Sequence, residues 1–473
     1  MAYRYGNRKQ KEFFPTSIEE YVKKDDPVRV YDAFVESVNL KELGIKLDSN
    51  KVGNPEYNPK SMLKLLVYGY SYGFRSSRKL ERAIYHNVSF IWLMEGLKPD
   101  HKTIANFRKN NKEALKEVFK QCARLCVKLK LIEGNTLFID GSKIRANAAI
   151  KNSWTKAKCK KYLRTIDKRI AEMLNECDNT DKQEQSQKSL VGLEKELQDT
   201  EDLKSRVKQI MKELEDEKSI NTTDKECTRI NSVHGSHAGY NAQITVDEKH
   251  GLIINTDVVS ENNDVNQFAN QVKEANKILD KKCDTACADS GYANTDKLEE
   301  IHKENIKVIV PSQRQASKKE PKEFDKENFQ YDVEQDCYIC PEGHRLRCQR
   351  FDRKQKSKKY LITSKKICFN CKHYENCTKS QKGRSIERLN NEEKRKQFEA
   401  EYKQPESQDI YKLRQQKVEL PFGHIKRNLG VRAFLLRGLD GVNAEMSLLT
   451  TCFNISRMIT ILGIPALIKR LMC

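Results

Sequence analysis

The chain has 473 residues, of which 37% are hydrophobic and 33% charged, and its 88 Lys and Arg residues exceed its 67 Asp and Glu residues to give a formal net charge of +21. This length allows two or more domains, and the polar composition predicts a modest core with solvated extensions. The basic charge favours a polyanionic partner such as nucleic acid, because lysine and arginine contacts release counterions from phosphates. A basic protein with no nucleic-acid partner is the alternative that charge alone leaves open.

The hydropathy pattern argues against export and against a membrane span. The N-terminal stretch has no apolar signal-peptide core. The most apolar stretch, from Ile459 to Leu471, contains Pro465 and is shorter than the ~20 residues that cross a bilayer, so it predicts a buried terminal helix. The fifteen cysteines are therefore expected to be reduced, with roles in metal binding or burial. We expect a cytoplasmic protein that associates with the nucleoid.

Residues 1–125 are predicted to be helical. Apolar residues recur at helical spacing after Pro27 and again after Pro59. A further helix follows Pro99 and Asp100 and carries basic and amide side chains up to Arg108. Several short helices with such a face suit a helix-turn-helix-like DNA-binding domain, although an ordinary helical bundle has the same pattern.

The middle of the chain alternates strand and helix patterns. Short apolar runs predict strands at 136–141, 283–289 and 306–310, and residues 240–246 and 252–259 read as a hairpin. Such alternation with helices predicts an α/β sheet domain. Within it, residues 151–225 are charged and predict a helical insert, either partly coiled-coil or a solvated helix pair. Its spaced apolar residues are Leu190, Leu193, Leu197, Leu203, Val207, Ile210 and Leu214.

Three acidic residues are candidates for phosphodiester chemistry. Asp140 and Asp289 each end a predicted strand, and Glu419 lies on a helix predicted from Tyr411 to Lys426. Carboxylates that hold two divalent cations roughly 3.5–4 Å apart can activate a nucleophile and stabilise the leaving oxygen. Mg²⁺ prefers such hard oxygen ligands. The alternative is that these are three of the many solvated acidic residues.

Four short stretches surround or lie between the three acidic residues. They are Phe138-Ile139-Asp140-Gly141-Ser142, Gly239-Tyr240-Asn241-Ala242-Gln243, Ala288-Asp289-Ser290-Gly291-Tyr292 and Val418-Glu419-Leu420-Pro421-Phe422-Gly423. Together these stretches resemble DDE transposases of bacterial insertion sequences. The resemblance implies an RNase H-like core in which Asp140, Asp289 and Glu419 bind two Mg²⁺ or Mn²⁺ ions. It also implies that Tyr411, Arg414 and Lys426 contact DNA near the scissile phosphate. These residues fit the signature Tyr-x2-Arg-x3-Glu-x6-Lys, except that four residues separate Arg414 from Glu419.

The same resemblance implies the reaction and its partners. We expect Mg²⁺-dependent cleavage at the terminal inverted repeats of an insertion sequence, followed by strand transfer into target DNA, with a homodimer in the DNA complex. The alternative from another class is a catalytically inactive, transposase-derived DNA-binding protein or repressor. A nuclease that cuts without joining is a third reading, because both reactions use one metal site.

The cysteine-rich segment predicts a structural zinc site. Cys337-x2-Cys340 and Cys368-x2-Cys371 are paired knuckles of the kind that present four thiolates to one Zn²⁺ ion. Cys377, Cys348 or His344 could replace one ligand, and unliganded reduced thiols are the alternative. We expect the segment to lack apolar residues of its own. His234 and His237, which could be metal ligands with Asp140, are expected to lie in a loop.

The predicted fold class is thus α/β, with an RNase H-like core joined to smaller parts. The predicted regions are a helix-turn-helix-like DNA-binding domain (1–125), the first part of the core (130–311) with its helical insert (151–225), a zinc-ribbon-like insert (312–400), and C-terminal core helices that carry Glu419 (401–473).

Overall fold

The computed structural model describes residues 17–45, 56–181, 187–214, 219–232, 235–317, 322–353 and 357–472, without the side chains of 175–181 and 187–194. These residues form a mixed α/β protein. The helices are α1 (Val28–Ser37), α2 (Pro59–Ser71), α3 (Ser77–His86), α4 (Val88–Leu93), α5 (His101–Asn110), α6 (Lys112–Lys128), α7 (Lys156–Asp181), α8 (Gln187–Glu213), α9 (Phe268–Leu279), α10 (Thr295–His302), α11 (Gln313–Ser317), α12 (Lys365–Phe369), α13 (Glu392–Tyr402), α14 (Pro405–Gly423), α15 (Leu439–Leu462) and α16 (Ile464–Leu471).

The strands are β1 (Thr136–Arg145), β2 (Ser153–Trp154), β3 (Ile220–Asn221), β4 (Thr228–Ser232), β5 (Gly235–Asp247), β6 (Ile253–Val259), β7 (Thr285–Cys287), β8 (Lys307–Ile309), β9 (Gln330–Asp332), β10 (Cys337–Ile339), β11 (Arg345–Asp352), β12 (Ser357–Ile362) and β13 (Ser385–Leu389). The elements belong to two compact units. Unit 1 comprises Met1–Asp264, Lys273–Lys282 and Gln415–Cys473, and unit 2 comprises Val265–Val272 and Cys283–Arg414.

Two helices of unit 1, α2 and α5, begin at capping residues, and α15 packs against several neighbouring elements. Asn58 caps α2 by accepting a hydrogen bond from the Lys60 backbone N–H at 2.8 Å, and Asp100 caps α5 through Thr103 at 2.7 Å. α15 packs against α2, α6 and β6. Most of α15 is buried, as expected for a helix that is apolar around its whole circumference.

β5 is the central strand of the sheet in unit 1. It pairs antiparallel with β1, β4 and β6, and the predicted hairpin is confirmed by β5 and β6. Ala242, Ile244 and Val246 of β5 are all fully buried. The polar residues Asn241, Gln243 and Thr245 alternate with them and are fully buried as well, so both faces of β5 are covered although one of them is polar.

The helical region between β2 and β3 is an α7–α8 pair with a core of its own. Val207 of α8 and Leu214, which directly follows α8, are buried with Cys159 and Ile166 of α7. The sequence did not identify a packing partner for α8, and the structure shows that this partner is α7. Leu203, in contrast, is 43% exposed. The side chains of Leu190 and Leu193 lie outside the described residues.

Unit 2 contains a parallel β7–β8 pair and a five-stranded antiparallel sheet in the order β13-β12-β11-β10-β9. The expectation that this cysteine-rich segment lacks apolar residues of its own was wrong. Its sheet buries a cluster made of Phe329, Tyr338, Leu346, Tyr360, Ile362, Cys368 and Ile386. Short strands with single large apolar residues supply this core, and their spacing is too sparse to show a clear period in the sequence.

Among the described residues, no single helix is long and apolar enough to cross a membrane. α15 and α16 meet that test only when taken together, and they are bent by 115° at the break between them. The stretch predicted as one terminal helix is thus divided at Gly463, whose φ of 75° ends α15.

Candidate active site

Asp140 lies in the interior of β1. The ladder with β5 sets Asp140 opposite Ile244 and Ser142 opposite Ala242, and it continues to Arg145. The prediction that Asp140 ends its strand was therefore wrong, because β5 is long enough to pair with the residues that follow. Alternate residues of a strand share one face, so Asp140 and Ser142 present their side chains on the same face of the sheet.

Lys426 lies beside this face. A π-helical turn, His424–Asn428, follows α14, and the Lys426 Nζ donates a hydrogen bond to the Ser142 Oγ. Burial lowers the pKa of Lys426, and the Asp140 carboxylate opposes this by raising it. The structure therefore brings Asp140 and Lys426 together. The α-helix predicted to reach Lys426 thus ends at Gly423, and the chain continues as a π-helical turn with wider hydrogen-bond spacing.

The other face of β1 carries a separate polar cluster around Asp264. Its Oδ1 accepts hydrogen bonds from Asn241 Nδ2 and Gln243 Nε2, both at 2.7 Å, and from Lys143 Nζ at 3.2 Å. Asn241 and Gln243 of the transposase-like Gly-Tyr-Asn-Ala-Gln stretch thus hold Asp264. No sequence pattern marks Asp264, because its partners lie 21, 23 and 121 positions away in the chain.

Asp289 follows β7 and begins a short 3-10 helix, Ser290–Tyr292, in unit 2. Its side chain accepts a hydrogen bond from the Gly291 backbone N–H at 2.8 Å, which holds the half-buried carboxylate in place. Burial raises the pKa of Tyr411, the Arg414 guanidinium lowers it, and Asp289 is among the groups that raise it. The Arg414 Cζ lies 5.6 Å from the centroid of the Tyr411 ring. Asp289, Tyr411 and Arg414 are thus neighbours.

Glu419 is an exposed residue of α14, which begins at Pro405 rather than at Tyr411. Glu419 lies five positions after Arg414, which corresponds to a rotation of about 140° beyond one full turn of an α-helix. Gln415, four residues before Glu419, lies on nearly the same face, and its Nε2 donates to Glu419 Oε1 at 2.9 Å. Gln415 therefore occupies the position, four residues before Glu419, at which the signature has its arginine.

The three carboxylates have suitable chemistry for a hard divalent cation. Asp140 and Glu419 belong to unit 1 and Asp289 to unit 2. Hydrogen bonds orient one oxygen of Asp289 and one of Glu419, and each carboxylate has a second oxygen that could bind a metal. In the part of the chain that the structure describes, no three His, Cys, Asp or Glu side chains are arranged to hold an ion.

His234 and His237 were considered as possible metal ligands with Asp140. His234 lies outside the described residues. His237 lies within β5, opposite Ile230, so the expectation of a loop was wrong for this residue. Burial lowers the pKa of His237, and the nearby Arg145 lowers it further.

The basic face predicted for α5 is smaller than its sequence suggests. Arg108 is 7% exposed, and its Nη1 donates to the Tyr70 hydroxyl at 2.8 Å and to the Arg75 carbonyl at 2.9 Å. Its guanidinium therefore stabilises the helical region. Lys102, Asn106 and Lys109 remain exposed on α5.

The predicted zinc ligands all lie in unit 2. Cys340, Cys368 and Cys371 line one small cavity, and Cys377 joins them there. Cys337 lies on β10, opposite Arg347 on one side, and is not among the residues that line this cavity.

Comparison with known families matches two parts of the chain. Residues 339–459 match a family described as "Transposase DDE domain", and residues 16–110 match one described as "Transposase domain (DUF772)". The first match contains Tyr411, Arg414, Glu419 and Lys426, whereas Asp140 and Asp289 lie outside both ranges. Comparison with curated proteins and with solved structures gave no match. The two family matches support a DDE-type transposase of the insertion-sequence type.

Proposed function

We propose that this transposase cuts DNA at the ends of its insertion sequence and joins the freed 3′ ends to target DNA, with Mg²⁺ or Mn²⁺ as cofactor. The observation that carries the proposal is the Asp140–Lys426 pair in a chain that matches a transposase DDE domain. The phosphate of DNA is negatively charged and is repelled by the carboxylates that would bind the metal. A cation beside one of these carboxylates reduces that repulsion.

The metal ligands in this proposal are Asp140, Asp289 and Glu419. Two divalent ions held by such carboxylates supply activation of the attacking hydroxyl and stabilisation of the leaving oxygen. The chain's own hydrogen bonds prepare two of the ligands. The Gly291 N–H orients Asp289, and the Gln415 amide orients Glu419, which reduces the entropy lost when an ion binds.

Tyr411, Arg414 and Lys426 are proposed to bind DNA. Lys426 would contact a phosphate, since its ammonium lies beside Asp140 and keeps its charge more readily because of that carboxylate. Arg414, stacked near Tyr411, would bind phosphate oxygens through its planar guanidinium. The departure of Arg414 from the signature spacing makes Gln415 the residue that touches Glu419.

The wider architecture belongs to the same proposal. Residues 130–311 and 401–473 would form an RNase H-like core, and residues 1–125 a helix-turn-helix-like DNA-binding domain. A homodimer in the DNA complex would hold the two terminal inverted repeats together. The basic net charge of +21 supports an extended DNA contact and association with the nucleoid.

The test is cleavage of labelled duplex DNA that carries the element's own ends, in Mg²⁺, by wild-type protein and by Asp289→Asn. Asp284→Asn is the matched control, because Asp284 is an exposed aspartate at the other end of β7. We expect wild type and Asp284→Asn to cut at the element boundary. Asp289→Asn should bind DNA equally well and lose at least about 100-fold of the cleavage rate.

The same reaction separates the rival functions. Unlabelled target DNA is added, and joined products are sought by gel electrophoresis. Joined products support a transposase, whereas cutting without joining indicates a nuclease. Specific binding by wild type with no cutting at all indicates an inactive DNA-binding derivative or repressor. Equal cutting by wild type and Asp289→Asn would show that Asp289 is not a metal ligand.

A further inference from the structure

A small cavity in unit 2 gathers four thiols from two separate parts of the chain. The cavity has a volume of about 30 Å³, and its lining includes Cys340, Cys368, Cys371 and Cys377. Cys340 comes directly after β10, and the other three belong to α12 and the turn that follows it. The four thiols that line this cavity have the number and type of ligands found in a structural zinc site.

The turn after β10 has the hydrogen bonds of a metal-binding knuckle. The His344 N–H donates to the Cys340 Sγ at 3.3 Å. The turn is closed by the Cys340 N–H to the His344 carbonyl and by the Gly343 N–H to the Cys340 carbonyl, both at 2.8 Å. Gly343 has a φ of +80°, which glycine adopts without strain. A backbone N–H that points at sulfur stabilises the thiolate, the form that binds metal.

A second backbone N–H points at the thiol of Cys368. The Arg384 N–H donates to the Cys368 Sγ at 3.4 Å. Gly383, just before it, has a φ of +82°, and a Cβ there would lie 3.4 Å from the same sulfur and 2.6 Å from the side chain of Ile362. The glycine thus allows the chain to pass close to Cys368. The Arg384 Nη1 also donates to the Cys377 carbonyl at 2.9 Å, which ties Cys377 to this part of the site.

The other two cysteines of the segment lie elsewhere. Cys337 is one residue from Tyr338, whose side chain belongs to the buried cluster against which Cys340 and Cys377 pack. Neighbouring residues of a strand point to opposite faces, so Cys337 faces away from that cluster. Cys348 is exposed on β11. The sequence predicted Cys337 as a ligand because Cys337 and Cys340 have the same CxxC spacing as Cys368 and Cys371. In the structure, Cys337 lies on β10 and its thiol is separated from that of Cys340.

We propose that Cys340, Cys368, Cys371 and Cys377 bind one structural Zn²⁺ ion, with Cys377 in place of Cys337 as the fourth ligand. Among the described residues the thiols are not yet arranged around an ion, so binding requires them to turn into the cavity, with release of their protons to solvent.

Two histidines also line the cavity, and the structure gives each another role. His373 Nε2 lies 3.2 Å from the Glu342 Oε1, and its ring packs at 4.8 Å from that of Phe324. His344 contributes its backbone N–H to Cys340. Four thiolates and these backbone donors would make a closed site with no position for substrate, which is a structural role.

The test measures zinc in the purified full chain, without DNA, so it is independent of whether the protein cleaves DNA. Wild type should carry one zinc per chain, and Co²⁺ substitution should produce the absorption of a tetrahedral thiolate site. Cys377→Ser should lose the metal on dialysis. Cys337→Ala, Cys348→Ser and His344→Ala should keep it. Cys337→Ala is used because Cys337 is 2% exposed, so a small apolar side chain disturbs its surroundings least.

Three outcomes would overturn the proposal. Zinc retained by Cys377→Ser but lost by Cys337→Ala would return Cys337 to the site. Zinc lost only in His344→Ala would make a histidine the fourth ligand. Wild-type protein that binds neither Zn²⁺ nor Co²⁺ would show that the thiols are unliganded. Circular dichroism and size-exclusion chromatography of each variant ensure that metal content is compared only between folded proteins.

Discussion

The ammonium group of Lys426 donates a hydrogen bond to the hydroxyl of Ser142, two residues after Asp140 on the same face of β1. The two partners are 284 positions apart in the chain. Burial lowers the pKa of Lys426, and the Asp140 carboxylate acts against this effect. The pKa of Lys426, the residue that we propose contacts DNA, is therefore raised by the presence of Asp140.

Asp140→Asn should lower the pKa of Lys426 further. The substitution keeps the side-chain volume and removes the negative charge that favours the ammonium form, so the proton is lost at lower pH. The pKa is measured by NMR titration of isotope-labelled lysine side chains, with Lys426 assigned from a Lys426→Arg variant. Ser142→Ala, which removes the hydroxyl and no charge, is the control and should change this pKa less. An unchanged or higher pKa in Asp140→Asn would show that the carboxylate does not act on Lys426.

Glu445→Ala should destabilise unit 1 by about 3–5 kcal/mol, the range for breaking a buried ion pair. Glu445 is fully buried. Its Oε1 accepts from the Arg75 Nη2 at 2.6 Å, and its Oε2 accepts from the Leu435 and Leu436 backbone N–H groups at 2.7 and 2.9 Å. The truncation leaves the buried guanidinium and two backbone donors without their acceptor. Chemical denaturation gives the change in the free energy of unfolding.

Asp440→Ala is the control for this prediction. Asp440 lies on the same helix, and its carboxylate is 3.2 Å from Lys116 Nζ, but its side chain is 72% exposed. An exposed ion pair contributes at most about 1 kcal/mol. Equal losses of stability in the two variants would contradict the role assigned to burial.

Gly239→Ala should destabilise the protein by about 1–3 kcal/mol through overpacking. A Cβ at Gly239 would lie 2.7 Å from the Ile144 carbonyl oxygen and 2.7 Å from the Ile230 Cδ1, so the β1–β5 ladder would have to shift. At Gly423 nothing lies within 4 Å of the added Cβ. Gly423→Ala should be neutral or stabilise α14 by up to about 1 kcal/mol, because alanine favours a helix. Thermal unfolding should show a lower midpoint for Gly239→Ala and an unchanged or higher midpoint for Gly423→Ala, and a stabilising Gly239→Ala would contradict the close approach.

Asp336→Asn should weaken the five-stranded sheet in a pH-dependent manner. Hydrogen bonds from Lys358, Tyr360 and Tyr331 lower the pKa of Asp336 from 3.8 to about 2. A lowered carboxyl pKa stabilises the fold above pH 3.8, and this contribution is lost as the pH falls from 3.8 towards 2. At pH 7 we expect a loss of about 1 kcal/mol, because solvent screens this partly exposed group.

The measurement for Asp336 compares the unfolding of wild type and variant between pH 7 and pH 3. The difference should shrink as the pH falls below 4. Asparagine is the matched replacement because Asp336 has a φ of +44°, a conformation that asparagine tolerates well. A difference that stays constant over this pH range would show that the carboxylate charge contributes nothing to stability.

Local sequence patterns alone were sufficient to predict much of the secondary structure and the protein family. The apolar run from Thr136 predicts β1, and the hairpin pattern predicts β5 and β6. The transposase family was predicted from four short stretches and is confirmed by two family matches. These features depend on residues within a few positions of one another, where backbone preference and periodicity act.

The surroundings of each site residue were decided only by the tertiary structure. The extension of β1 beyond Asp140 depends on pairing with β5, and the cysteine segment has a core because five short strands meet. Arg108, which the sequence places on a basic face, is buried against Tyr70. Lys426 meets Ser142, and Asp264 meets Asn241, through packing of segments distant in the chain. Such contacts form because apolar burial brings separate elements together and buried polar groups must then find partners, and neither condition is visible in a local window of sequence.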